Sequence, residues 1–191
     1  MKTFIKSAAV ATALLVGSVA NAADYVIDTK GAHAFVQFKI QHLGYSWLLG
    51  RFNKFEGDFS YDAKAPAKSQ INVVIDTASI DSNHAERDKH LRNADFLDVK
   101  KYPKSSFKST KFDVKNEKEA VVTGDFTLHG VTKSISFPVT KIGEGSDPWG
   151  GYRVGFEGKT KLKLSDYGIT YNLGPASTHV EIHLYVEGIR K

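Results

Sequence analysis

The first candidates for chemistry are histidines and carboxylates, and His179 and His183, with Glu181 between them, have the composition of a metal site. Their alternation with Val180 and Ile182 predicts a strand, on which residues four apart lie ~13 Å from each other. That is too far for both imidazoles to reach one ion at about 2 Å, so no metal site is expected. His84 and His90 are six apart on a predicted helix and face different sides, unlike the i,i+4 pair of the helical zinc motif. Gly158-Lys159-Thr160 copies the end of a phosphate-binding loop, but Arg153 stands where the opening glycine is required, and the region alternates like a strand. The sequence contains no G-x-S-x-G, H-E-x-x-H or G-x-G-x-x-G motif. With no cysteine there is no disulfide, thiol nucleophile, thiolate zinc site or iron–sulfur cluster. These absences leave a hydrolase unsupported without excluding one, since pairings among the carboxylates depend on geometry.

The 191 residues include 26 Lys and Arg against 21 Asp and Glu, for a formal charge of +5, and 41% are hydrophobic, enough to build a core. Residues 1–22 have the form of a cleavable secretory signal peptide. Lys2 and Lys6 precede the apolar run Ala8 to Val16, and Ala20-Asn21-Ala22 supplies the small residues before a cut. The run is too short to span a bilayer, and no later stretch reaches the roughly 18 to 20 apolar residues of a transmembrane helix. An exported chain with one domain over 23–191 and no transmembrane segment is expected. Loss of Lys2 and Lys6 lowers the formal charge from +5 to +3. The remaining cations are scattered among acidic residues, as on a solvated face, so no nucleic-acid partner is expected.

Side chains that bind must be positioned by strands, because the dominant apolar period is two. Val36, Phe38 and Ile40 alternate with Gln37, Lys39 and Gln41, and the same parity points His42 inward at the strand's end. Phe55, Phe59 and Tyr61 repeat the pattern, as do Ile71, Val73 and Ile75. Between Phe52 and Phe55 the phase slips, which predicts a bulge at Asn53 and Lys54. Further strands cover 105–114, 120–128 with Val122 and Phe126 inward, and 134–142 with Ile135, Phe137 and Val139 inward. Two long ones follow, with Val154, Phe156, Thr160 and Leu162, then Val180, Ile182, Leu184 and Val186, facing in. Tyr25 to Ile27 reads as a short lead-in. Glycine-containing connections, including 143–151, suit antiparallel hairpins, and 143–151 also has the makings of a lid. Eight strands with one apolar face each are best satisfied by an all-β, up-and-down antiparallel barrel, since closure removes the edges. Its interior is either filled by its own side chains or holds one ligand.

One insertion, around residues 84–97, breaks the pattern. Asn83 and Glu86 are spaced as a capping box, and Ala85 to Asn93 lacks Gly, Pro and β-branched residues, which predicts a short helix. Glu86/His90 and Asp88/Arg92 are spaced for local i,i+4 pairs. Alternatively, Arg87 and His90 offer donors to an anionic head group at a barrel mouth. His42 has the same two readings, a hydrogen-bonded structural histidine or a polar group that orients a ligand.

Four ordered stretches, Phe38 to Trp47, Asn83 to Leu97, Gly124 to Lys133 and Asp147-Pro148-Trp149-Gly150, closely resemble signature segments of the YceI family. The resemblance covers essentially the whole chain after residue 22. It implies a lipocalin-like, extended eight-stranded barrel exported to the periplasm. It also implies an apolar interior that binds a polyisoprenoid or another long-chain amphiphile, such as an isoprenoid quinone or a prenyl phosphate, for transport or storage. The ligand-binding set expected on this basis is Val36, Phe38, Ile40, His42, Phe55, Phe59, Val73, Ile75, Phe126, Phe137, Phe156, Ile182 and Leu184, with Arg87 and His90 at the mouth. The lipid is the expected partner, with transient membrane contact during its transfer. The resemblance carries no catalytic set, so binding rather than catalysis is expected, with no catalytic residue and no cofactor other than the bound lipid. The alternatives are an enzyme acting on a lipid head group and an interaction protein with a filled barrel.

Overall fold

Alternating residues make strands throughout the computed structural model, which describes residues 22–191. The proposed signal peptide, 1–22, lies outside this range except for Ala22. Eleven segments form one antiparallel sheet. They are β1 (Ala23–Ile27), β2 (Phe35–His42), β3 (Ser46–Phe52), β4 (Phe55–Tyr61), β5 (Gln70–Asp76), β6 (Ile80–Asp81), β7 (Lys104–Val114), β8 (Glu119–Leu128), β9 (Val131–Ser146), β10 (Tyr152–Lys163) and β11 (His179–Arg190).

Three walls of the barrel are broken strands, so the eleven segments amount to eight barrel strands. β1 and β2 lie end to end along the same edge of β11, with Ile27 opposite Gly188 and Phe35 opposite Tyr185. β4 and β3 continue around from them, pairing with β1 and β2 respectively, and β5 and β6 follow. The circuit β1-β4-β5-β7-β8-β9-β10-β11 closes when β11 returns to β1. Tyr25 to Ile27 is therefore not a lead-in, as the sequence pattern suggested, but part of the wall that closes the barrel. Its Tyr25 ring, 1% exposed, stacks on Phe59 at 5.0 Å.

The phase slip occurs where β3 ends and β4 begins. Asn53 and Lys54 leave the ladder, and their N–H groups donate to the Ser79 carbonyl and hydroxyl oxygens, at 3.1 and 3.0 Å. Phe52 and Phe55 consequently both face the interior, which a regular strand would forbid. A second slip, between Gly155 and Phe156 in the β9–β10 ladder, leaves Ile142 62% exposed. Gly143 to Ser146 belong to β9, so the glycine-rich stretch is mostly a hairpin extension. Asp147 ties its turn by accepting from the N–H groups of Trp149 and Gly151.

The helix α1 (Ala85–Leu91) forms, but its cap differs from the expected one. His84, not Asn83, occupies the N-cap, and its Nδ1 accepts the Arg87 N–H at 3.2 Å. Asn83 has a left-handed backbone (φ 61°), and Glu86 points to solvent near Lys89, so no capping box is made. The helix stops at Leu91 because the Asn93 side chain captures the Asp95 N–H, a local alternative to continued helix.

Candidate functional site

The barrel is not filled. A cavity of about 570 Å³ lies in its interior, within the range of small-molecule sites. At one end the lining includes His42, Arg87 and His90 with Leu91, Phe96, Tyr171 and Leu173. At the other end it includes Tyr61, Lys141 and the β7–β8 turn, 116–119. Between them the lining is predominantly aliphatic and aromatic. The Ser105 hydroxyl there donates to the Thr127 carbonyl at 2.6 Å rather than facing the space unpaired.

Every residue of the expected set lines this cavity: Val36, Phe38, Ile40, His42, Phe55, Phe59, Val73, Ile75, Phe126, Phe137, Phe156, Ile182, Leu184, Arg87 and His90. Strand parity brings them together, since in-facing positions of neighbouring strands are directly opposite one another, as Phe38 is to Ile182 and Val36 to Leu184. Sequence reasoning missed Tyr171 and Leu173, which come from the irregular stretch between β10 and β11 and carry no periodic signal. It also missed Lys141, which keeps the inward parity of Ile135, Phe137 and Val139 and lies opposite Phe156, just before the slip. The Lys141 ammonium lies 3.0 Å from Glu144 and 5.6 Å from the centre of the Tyr61 ring.

The polar groups of the helix are largely committed to holding it on the barrel. The Ser82 hydroxyl donates to Asp88 and accepts from Arg87 Nε at 2.7 Å, while Arg87 Nη2 donates to the Ser82 carbonyl at 2.7 Å. Arg92 donates to the carbonyls of Ala78 and Ile80, at 2.8 and 2.7 Å. The expected Asp88/Arg92 and Glu86/His90 pairs are not made, because Ser82 and the β6 backbone are better placed partners than the next helical turn. His90 instead meets Asp95 at 2.9 Å, with its ring edge-on to Phe96 and Tyr171 at 4.9 and 5.2 Å. These three rings border the cavity. His42 stands on the exposed rim and has no side-chain hydrogen bond among the described residues, which removes the structural reading of that histidine.

His179 and His183 lie on the outer face of β11, away from the cavity, as their parity required. A different group, Asp28, His33 and Glu187, brings three ligand-type atoms within 4.8 Å. A cation already occupies it. Arg153 Nη1 donates to Asp28 and Glu187 at 2.7 and 2.6 Å, and its Nε donates to Asp147 at 2.8 Å. Burial opposes ionisation of Asp28, but hydrogen bonds from His33, Arg153 and the Gly31 N–H outweigh it and hold the carboxyl at about 2. The hydrogen bond from Arg153, joined by the Gly151 N–H, likewise lowers Asp147, and the three carboxylates raise the guanidinium in return. This cluster clamps the 28–34 loop, the β9–β10 hairpin and β11 together.

A closed antiparallel barrel around an apolar cavity, with a short helix at one rim, is a calyx whose interior has the size of a small-molecule site. The chain belongs to the YceI-like domain family, whose model matches residues 25–188. A UPF0312 protein of Shewanella sp. (strain W3-18-1) is 54% identical over 191 residues, covering all of both chains. Among solved structures, a Campylobacter jejuni YCEI protein superposes with a TM-score of 0.71 at 27% identity, over 80% of this chain and 90% of that one. Burkholderia cenocepacia BcnA shares the fold at 22% identity and a TM-score of 0.75, over 84% and 98% of the two chains. A polyisoprenoid binding domain from Saccharophagus degradans does so at 17% and 0.65, over 87% and 98%.

Proposed function

We propose that the protein is an exported, periplasmic carrier that sequesters a polyisoprenoid or other long-chain amphiphile along the barrel axis. It acts by binding rather than catalysis. The apolar cavity is the observation that carries this reading. At the ~30 Å³ that a water-sized group takes up in a liquid, 570 Å³ accommodates at least roughly twenty heavy atoms, about four isoprene units. Burying the chain drives binding at about 0.8 kcal/mol per methylene-sized group. The rim residues His42, Arg87 and His90 then face the head group, for which a quinone ring or a prenyl phosphate has suitable acceptors. The ligand named for the Saccharophagus degradans domain, a polyisoprenoid, supports the same class. Residues 1–22 supply the export signal, and no helix among the described residues is long and apolar enough to cross a membrane.

The test is purification from the periplasm without detergent, solvent extraction and mass spectrometry of any stoichiometric lipid. A prenyl lipid at near-equal molar ratio is the expected result. A protein that arrives empty and refuses added prenyl lipids refutes the reading. Turnover of a lipid head group that His42→Ala abolishes while binding persists would replace it with the enzyme alternative.

A further inference from the structure

Strand pairing gathers on one outer face cations that are dispersed in the sequence. Across β10, β11, β2 and β3, the outward residues nearest the His42 end fall into three cross-strand rows, and Glu157, Tyr185 and Phe35 make a fourth that bounds them. Lys163 is opposite His179, and Gln41 is opposite Trp47. Lys161, Glu181, Lys39 and Leu49 form the second row, and Lys159, His183, Gln37 and Arg51 the third. Five cations therefore share these rows with two carboxylates: Glu181, which lies 3.4 Å from Lys39 and 3.3 Å from Lys159, and Asp81 of β6, which is paired opposite Arg51 and lies 3.7 Å from it. The three rows carry +3 (five less two), as much as residues 22–191 carry as a whole, from 24 Lys and Arg against 21 Asp and Glu once Lys2 and Lys6 are set aside. The rest of the molecule is formally neutral, so the net positive charge is concentrated on this face and the expectation of scattered cations does not hold here.

The same face ends in exposed apolar groups beside the cavity mouth. Trp47 and Leu49 are 47% and 64% exposed, and the β2–β3 hairpin tip adds Leu43 at 56% and Tyr45 at 88%. Leu43 and Gly44 both have positive φ, 52° and 83°, the tight hairpin geometry that holds the tip out. The inward residues of these strands, Ile40, His42 and Leu48, line the main cavity. They also wall a smaller one against Leu173 and Gly174 at the mouth. Tyr and Trp next to clustered Lys and Arg is the composition of surfaces that seat in the head-group layer of anionic bilayers.

We propose that this face is a docking surface for an anionic lipid bilayer, with the hairpin tip at Leu43 and Tyr45 inserted and the cavity mouth turned toward the membrane. The proposal rests on the carrier reading for its purpose, since an apolar cargo must otherwise cross water between membrane and barrel. A second copy fits less well. Among the described residues, Ser46–Gly50 of β3 have no strand partner on their outer edge, because β6 pairs only with Arg51 and Phe52, but joining two such edges would set two +3 faces side by side.

The experiment is co-sedimentation of the purified protein with phosphatidylcholine vesicles, with and without phosphatidylglycerol. Binding is expected only with phosphatidylglycerol, and high salt should abolish it. Lys161 and Lys163 take part in no ion pair among the described residues. Lys161→Gln with Lys163→Gln should weaken binding about 25-fold, at about five-fold per cation near the surface. Tyr45→Ser with Trp47→Ser should weaken binding to the same vesicles, whereas Lys64→Gln with Lys68→Gln, outside the face, should not. Equal binding to both vesicle types, no binding, or indifference to the face substitutions overturns the proposal. So does a dimer that Trp47→Ser dissociates and that ignores vesicles. Prenyl-lipid loading, measured on the same preparations, separates the two readings. Loading without vesicle binding refutes the docking alone, and vesicle binding by a protein that takes no chain supports the docking while refuting the carrier.

Discussion

Arg153 is the single cation among three carboxylates, and replacing it with methionine keeps most of its aliphatic stem while removing the charge. The side chains of Asp28 and Asp147 are 4% and 6% exposed, so the variant would leave two buried negative groups without their partner. Breaking a buried pair on one side costs about 3–5 kcal/mol. Glu187 is 34% exposed and Arg153 itself 20%, so water takes up part of the loss and the lower end, about 3 kcal/mol, applies. In a domain of this size that corresponds to a fall in Tm of roughly 6–12 °C. The pH dependence separates charge from packing. In the folded protein Asp28 titrates at about 2, below its ordinary 3.8, so its contribution is complete above pH 3.8 and is lost as the pH falls toward 2. In the variant the carboxylates protonate more readily and the penalty is relieved in acid. Urea denaturation of both proteins between pH 7 and pH 3 should therefore show a gap that is widest at neutral pH and narrows below pH 4. A gap under about 1 kcal/mol at pH 7, or one that does not change with pH, refutes the electrostatic account.

Other perturbations bear on the cavity and the rim. A Cβ added at Gly50 would strike the Phe38 ring and crowd the Asp81 carbonyl oxygen, so Gly50→Ala should push Phe38 into the cavity, destabilise by about 1–3 kcal/mol and weaken binding of a fluorescent polyene fatty acid; unchanged affinity would show that Phe38 does not bound the ligand space. Phe156→Glu, which places a carboxylate beside Phe59 and Tyr61, should give a folded barrel by circular dichroism that takes up no prenyl lipid. Retained uptake would count against an inward lining. Ser82→Ala removes the hydroxyl shared by Arg87 and Asp88 and should cost about 1–3 kcal/mol in urea denaturation, with faster hydrogen exchange confined to the helix and its flanks. His42→Ala should leave stability unchanged, since the ring has no hydrogen bond to lose, and alter only head-group preference in competition between prenyl alcohol and prenyl phosphate.

Period-two alternation carried most of the fold, because one buried face per strand fixes which side chains meet. That is why residues as far apart as Val36 and Leu184 were legible as parts of one interior. Irregular backbone was legible only where it left a phase error. Phe52 and Phe55 betrayed the break between β3 and β4, whereas the bulge at Ile142 lies among glycines and polar residues, where parity has no apolar marker, and Lys141, inward by the parity of Val139, was passed over because it is charged. Tyr171 and Leu173 reach the cavity from a stretch with no period. The helix was visible from its composition, but its partners were not. Pairing rules within a helix assume that the nearest charge wins, and here Ser82 and the carbonyls of Ala78 and Ile80, outside the helix, hold Arg87 and Arg92. The five clustered cations escaped notice for a related reason. Lys159, Lys161 and Lys163 share a face in the sequence, but Lys39 and Arg51 join them only through strand pairing.

The two-ended cavity makes the barrel a sleeve rather than a ruler. Along its bore, sliding a hydrocarbon by one carbon exchanges one apolar contact for an equivalent one, so the walls exert no preference for register. Length is sensed only where the tail arrives at the polar turn 116–119. A chain that stops short leaves bore unfilled, and one that overshoots wets its terminal carbons, losing about 0.8 kcal/mol for each methylene-sized group returned to water. Each carbon of mismatch thus changes affinity about four-fold, so chains within one or two carbons of the bore length still bind. The carrier proposed above would then draw neighbouring lengths from its surroundings, and the composition of its cargo would report what the cell supplies.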